Sequence, residues 1–279
     1  MPKSAALSRR AAVGALVATG LGLSRATGAS ANRLVVGGTG SALGTMRRLI
    51  DAFRAGNPDL QCELPPSLGT TGGLRAVVAG AIDIAISVRP VNPEEAARGA
   101  KSVLYARSPF GFVTSLRDPP ATLTTADILD IYALKRRTWP DGSPIRVILR
   151  TRRDGDSQFV IERFPAAEPV LEATHAKQIL PVAQTDQANL DLAEKLEGSF
   201  ASSTMAAVIS EGRDLRGLAI DGVKPTCEAV AAGTYPHVRS LYFVTMPATS
   251  EAARAFIDFA MSTRGARILA ECGNVPVTA

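Results

Sequence analysis

Two histidines and three cysteines are all that 279 residues offer to metal or thiol chemistry. Cys62, Cys227 and Cys272 stand too far apart along the chain to form a metal-ligand pattern. His175 lies in a charged, solvent-facing stretch and His237 follows Pro236, so neither accompanies a nucleophile as a base would. There is no G-x-S-x-G elbow and no H-E-x-x-H helix. Close carboxylates such as Asp154 and Asp156 read as turn residues before they read as an acid–base pair. Aromatics make up 5% of the chain, and no basic run interleaves with them, which removes the stacking and phosphate-neutralising surface of a nucleic-acid binder. No fixed repeat or low-complexity block interrupts the chain. The expectation is a binding protein with no catalytic residues, no metal, no cofactor and no nucleic-acid partner.

What is present begins with an export pattern. Lys3, Arg9 and Arg10 precede an apolar run from Ala11 to Leu23, and Ala29-Ser30-Ala31 then places small residues at a cleavage site. The run is too short to span a bilayer, which needs about 20 apolar residues. Residues 1–31 therefore read as a cleaved signal peptide and the mature protein as periplasmic. Ser8-Arg9-Arg10 resembles the start of a twin-arginine signal, although Ala12 stands where a bulky apolar residue is usual. No cysteine lies near the cleavage point, so the expectation is not a lipoprotein. Export also changes the charge. Of the formal +5, the four cations Lys3, Arg9, Arg10 and Arg25 leave with the signal, which contains no acid, and the mature chain keeps +1. Its basic character is thus no argument for anionic polymers or membranes. In an oxidising compartment the odd cysteine count fits either one disulfide with a free thiol or three separate thiols.

Along the mature chain, strand-like and helix-like segments alternate, the pattern of a doubly wound, parallel α/β fold. Strands are expected at Leu34–Gly37, Gln61–Leu64, Ile82–Ser87, Ile145–Leu149, Leu215–Ile220 and Leu241–Thr245. Helices are expected at Leu43–Arg54, Thr71–Ala79, Thr124–Tyr132, from about Gln158, at Asp186–Leu196, at Lys224–Ala232 and between Ser250 and Glu271. Ser102–Leu116 reads as extended but broken at Pro109 and Gly111. Ligands in such folds sit where strand ends feed helix starts. Polar loops fall at those places: Gly38–Ala42, Ser67–Gly73 and Arg150–Ser157, with Ser87-Val88-Arg89 as a fourth.

The first loop, Gly38-Thr39-Gly40-Ser41, is one residue off a dinucleotide fingerprint and lacks the lysine of a nucleotide P-loop. What remains is a helix start whose N–H groups and hydroxyls favour an anion, or Ser41 as a plain helix cap. Thr70, Thr71, Gly72 and Gly73 repeat that chemistry in the second loop. The third, Arg150-Thr-Arg-Arg-Asp-Gly-Asp-Ser157, adds guanidinium forks that match oxyanions.

With "GTGSALGTMRRLIDAF", "LGTTGGLRAVVAGAIDIAISVRP" and "GTYPHVRSLYFVT" in view, residues 33–279 resemble a solute-binding protein of an ABC importer, of the phosphate-binding type. The resemblance implies an α/β fold of two doubly wound lobes joined by two crossing strands, as in type 2 periplasmic binding proteins. The crossings would fall near Pro109–Val113 and Pro236–Tyr242. Lobe one would take 32–110 and 240–279, and lobe two 111–239. It further implies a monomer that closes on a small oxyanion and delivers it to a membrane permease; a sensor built on the same fold is the alternative, and an exported hydrolase the distant third. Carried over by residue, the ligand would meet Thr39, Gly40, Ser41, Thr70, Thr71, Gly72, Ser87, Arg152, Asp156 and Ser157, with Arg89 and Arg150 as further candidates. Two departures stand out. The family's Ala-Ser-Asp strand end becomes Ile86-Ser87-Val88, losing the aspartate that accepts a proton from hydrogen phosphate. Its Arg-x-Asp-Gly-Ser-Gly-Thr becomes Arg152-Arg-Asp-Gly-Asp-Ser-Gln158, which puts Asp156 in the loop either as a replacement acceptor or as a charge that repels anions.

Overall fold

The computed structural model describes residues 32–277, which belong to one compact unit. The expected signal peptide lies outside the described residues. The chain opens with β1 (Arg33–Gly38), a 3-10 turn (Gly40–Ala42) and α1 (Leu43–Arg54). Met46, Leu49, Ile50 and Phe53 of α1 are buried, as their helical spacing demands. Then come β2 (Gln61–Glu63), α2 (Gly69–Val78), β3 (Ile84–Ser87) and α3 (Pro93–Ala97), the last held by a capping box between Asn92 and Glu95. The long β4 (Lys101–Thr114) follows, and α4 (Thr125–Tyr132) carries the expected Thr124 cap, closed by Asp127.

Next are β5 (Arg146–Val147), β6 (Leu149–Arg150), α5 (Gly155–Arg163), α6 (Ala167–Ala176), β7 (Val182–Ala183) and α7 (Asp186–Lys195). They are followed by β8 (Ser199–Thr204), α8 (Met205–Ser210), β9 (Arg216–Gly217) and α9 (Cys227–Ala231). The chain closes with β10 (Val238–Thr245), α10 (Glu251–Met261), α11 (Thr263–Glu271) and β11 (Val275–Pro276).

The main sheet runs β2-β1-β3-β10-β4-β8-β5, with β9 and β11 also paired to β4. It is mixed, not parallel throughout. β1 pairs parallel with β2 and β3, but β10 is antiparallel to β3 and β4. The reason is connectivity: β4 carries the chain out of one hydrophobic cluster into another, and β10 brings it back. Tyr105 and Ala106 of β4 sit in a cluster with Leu34, Met46, Phe243 and Phe256, while its Phe110 and Phe112 sit in a second with Trp139, Phe200 and Tyr235. Each core is knit by aromatic pairs, Tyr105 stacked on Phe243 at 4.1 Å and Phe112 on Phe200 at 4.7 Å.

Several expected boundaries change. β4 is unbroken at Pro109, because that residue meets Val238 at the very end of the β10 ladder and its missing N–H interrupts no interior rung. Gly111 also stays in the strand, where a Cβ would lie 2.8 Å from the Tyr235 hydroxyl. Ile145–Leu149 splits into β5 and β6, which pair with different strands. Leu215–Ile220 contracts to β9, and Lys224–Ala232 to α9, since Pro225 precedes the Thr226 cap. β8, Ser-Phe-Ala-Ser-Ser-Thr, is buried along its whole length although most of it is polar, and only its neighbours reveal it as a strand. All three cysteines are free thiols; Cys272 is buried and the other two are half-buried.

Candidate functional site

β1 ends at Gly38, whose φ of 145° belongs to glycine. A Cβ there would collide with the Ile86 carbonyl, and the next amide, Thr39 N–H, donates to that same oxygen at 3.0 Å. The chain then turns into α1 without a side-chain cap: Ser41 does not cap the helix, and its hydroxyl pairs instead with that of Thr39 at 3.0 Å. The 3-10 turn already satisfies two amides of this start, Ala42 N–H on the Thr39 carbonyl at 3.4 Å and Leu43 N–H on the Gly40 carbonyl. Gly40 is closed in by the side chains of Asp186 and Gln187 of α7 and of Ser67, which would have to shift to admit a Cβ at that position. Gln187 Nε2 donates to the Gly40 carbonyl at 3.0 Å.

The second loop is tied to the first. Leu68 N–H donates to the Gly38 carbonyl at 3.0 Å, and a Cβ on Gly73 would lie 2.7 Å from Gly38 Cα. Thr70 Oγ1 accepts from Val88 N–H at 3.3 Å. Ser87 Oγ donates to the Arg89 carbonyl at 2.6 Å, and the Arg89 guanidinium forks onto Glu95 at 2.8 and 2.9 Å.

Behind these loops lies a buried charged layer. Arg150, at the end of β6, grips Asp154 with Nε at 3.0 Å and Nη2 at 2.6 Å, and its Nη2 is 3.7 Å from Asp186. Asp154 in turn caps α5 by accepting from Asp156 N–H at 2.9 Å. Arg239, on β10, donates to Asp156 Oδ1 at 2.9 Å and to the Gly155 carbonyl at 3.1 Å. Its guanidinium lies over the rings of Phe159 and Phe110, 4.3 and 4.8 Å from their centroids. Burial, reinforced by the nearby Asp186 charge and opposed by Arg239, pushes the Asp156 carboxyl up to about 7. Burial likewise raises Asp186, against the pull of Arg150. Burial alone would lower Arg150, but Asp156 and Asp186 hold it firmly charged. Two guanidinium nitrogens, Arg150 Nη1 and Arg239 Nε, are buried with no hydrogen-bond partner among the described residues. Unsatisfied buried donors of this kind are costly, and charged ones more so.

In front of the layer opens a cleft of about 630 Å³, lined by Thr70, Thr71, Arg89, Arg153, Phe159 and Tyr242 among others. Asp154, Gly155 and Arg239 belong to both the layer and the cleft wall. The structure thus brings Thr70, Thr71, Gly72 and Arg89 to the cleft, and sets Thr39, Gly40, Ser41, Ser87, Arg150, Asp156 and Ser157 in buried positions behind or beside it. Arg152 is the exception. The turn after β6 swings it outward, where it is exposed and lines a separate cavity of about 80 Å³ with Ser157 and His175. His237 is buried against Phe164, 4.7 Å between ring centroids, and burial lowers its pKa.

Arg239 and Asp186 were not legible as site residues. Arg239 is a charge inside an otherwise apolar strand, Val238-Arg-Ser-Leu-Tyr-Phe-Val244, and that oddity is the one signal that marks it. Asp186 looks like any first-turn acid of a helix.

An α/β fold with strands running between the two largest of its four hydrophobic clusters and a charged cleft alongside is the architecture of solute-binding receptors. A model of the PBP superfamily domain matches residues 24–264, and the chain belongs to that periplasmic binding protein superfamily. Among curated relatives, phosphate-binding protein PstS 2 of Streptococcus agalactiae is 24% identical over 112 residues, a match spanning 40% of this chain and 38% of that protein. Protein SphX of Synechococcus elongatus is 26% identical over 273 residues, 90% of this chain and 80% of the relative. A Clostridium perfringens protein solved with bound phosphate superposes with TM-score 0.76 at 23% identity, over 88% of this chain and all of that one. An ABC-type phosphate transport receptor from Vibrio cholerae gives 0.61 at 17%, over 87% and 99%, which speaks to the fold alone. Among the described residues no helix is long and apolar enough to cross a membrane.

Proposed function

We propose that this chain is an exported receptor that captures a small oxyanion, phosphate first, and delivers it to the membrane permease of an ABC importer. It does so as a monomer released from its signal peptide after Ala31, with no lipid anchor, no catalysis and no nucleic-acid partner. Residues 32–110 with 240–279 form one lobe and 111–239 the other, hinged at β4 and β10. The observation that carries the reading is the buried Arg239, with an unpartnered Nε, in the wall of the same cleft that Thr70, Thr71 and Gly72 of the second helix start line. Arg150, unpartnered at Nη1, lies in the layer behind. Guanidinium forks and helix N-termini are the two devices that hold oxyanions most readily. An anion there would satisfy donors that are otherwise orphaned. The name of the Streptococcus relative favours phosphate over other oxyanions.

The test is thermal unfolding of exported protein whose N-terminus reads Asn32. At a hundredfold excess over Kd, a ligand adds about 2.7 kcal/mol, and each kcal/mol moves the midpoint of a chain this size by about 2–4 °C. Phosphate should therefore raise the midpoint by several degrees. No shift with phosphate, sulfate or molybdate overturns the reading.

A further inference from the structure

An inorganic oxyanion has five heavy atoms, and the cleft is far larger than such an ion needs. Its volume of about 630 Å³ falls in the range of sites for organic molecules, about 300–1,000 Å³. The contacts that already join the two halves, Gln187 Nε2 on the Gly40 carbonyl at 3.0 Å and Gly44 against Ser210, lie beside the cleft and involve none of its lining residues. Leu68, Val88, Pro90 and Val238 are apolar members of the lining, and Leu68 is 41% exposed. Across from the layer's internally paired charges, Arg153 and Arg163 line the same cleft, and neither forms an ion pair among the described residues. Arg163 is held over the Phe159 ring at 5.2 Å, the ring that also carries Arg239. An anionic head reaching Arg239 would leave any further part of the ligand in this space, among these apolar residues and two free cations.

We infer that the ligand is an organic oxyanion, a phosphate monoester or phosphonate, whose head meets Arg239 and whose organic part lies along Leu68, Val88 and Pro90. This rests on the oxyanion reading and narrows it. Isothermal titration of the mature protein with phenyl phosphate and with inorganic phosphate tests it. The ester should bind at least about tenfold tighter, a gain of about 1.4 kcal/mol. Leu68→Ala, which trims the apolar side chain without adding a capping acceptor to the start of α2, should reduce that advantage while leaving inorganic phosphate unchanged. Leu68 is exposed, so the substitution leaves both cores intact. Inorganic phosphate binding as tightly as the ester, or an advantage that Leu68→Ala does not touch, overturns the inference and leaves the oxyanion reading standing. If neither ion binds, both fall.

Discussion

Three arginines within four positions meet three different fates. Arg150 is buried against Asp154, Arg152 is exposed beside the small cavity that His175 lines, and Arg153 faces the cleft. The resemblance of Arg152-Arg-Asp-Gly to the family's loop favours Arg152 as the ligand's counter-charge. On the proposed oxyanion reading we assign that role to Arg239, which lines the cleft, with Arg150 in the buried layer behind it. A charge-assisted hydrogen bond contributes about 1.5–3 kcal/mol, so losing one costs roughly tenfold to a hundredfold in affinity. Arg239→Lys keeps a cation opposite Asp156 but removes the Nε donor, and it should weaken phosphate binding by that factor. Arg152→Ala should leave affinity within about twofold. Titration calorimetry on both variants decides, and a large loss confined to Arg152→Ala would return the role to the outer loop. Asp156 is tied to Arg239 and buried outside the cleft lining, and burial raises its carboxyl to about 7.

At the scale of elements, the site depends on how closely β1, β3 and α2 approach one another. Gly38 and Gly73 make that approach: a Cβ on Gly38 would strike the backbone of Ile86, with Ile86 N at 2.8 Å, and a Cβ on Gly73 would press on Gly38. Backbone cannot yield as a flexible side chain does, and φ at Gly38 is closed to L residues as well. Gly38→Ala should therefore destabilise by at least about 3 kcal/mol, read as a lower urea midpoint at unchanged slope. Gly142→Ala is the matched control, since it also has positive φ, 85°, but nothing within 4 Å of its Cβ position. Its cost should be near 1 kcal/mol, the strain of the left-handed backbone alone. Equal losses at both positions would mean that strain rather than close approach sets the cost.

For the whole molecule, the two clusters are joined through β4 and β10, which share eight register pairs from Val238↔Pro109 to Thr245↔Lys101, with one shift between Leu241 and Tyr242. The extra residue, Tyr105 of β4, lies inside the first cluster beside Leu241 and Phe243. The expected hinge falls beyond it, where β4 and β10 pass toward the second cluster at Ser108–Phe110 and Val238–Arg239. Ligand contacts made to both sides at once would bias such a hinge toward a closed form. Small-angle scattering of the mature protein should show a smaller radius of gyration at saturating phosphate than without it. An unchanged radius at saturation would rule out closure and leave a rigid receptor.

Much of this protein was legible before folding. The alternation of strands and helices, the glycine–threonine loops at helix starts, the Thr124 cap and the buried face of α1 all follow from local periodicity and turn chemistry, which act within a few residues. The tertiary structure decided the rest. β8 is a strand because its polar residues are enclosed between β4 and β5, and no local pattern records that. β10 runs antiparallel because a strand that returns must oppose one that leaves. Arg150, rather than Arg152, faces inward because of the turn after β6, and Asp186 meets Gly40 across 146 positions of sequence. Local sequence sets which residues can donate, cap or turn; which of them meet, and which charges lose their water, is settled only when distant segments pack together.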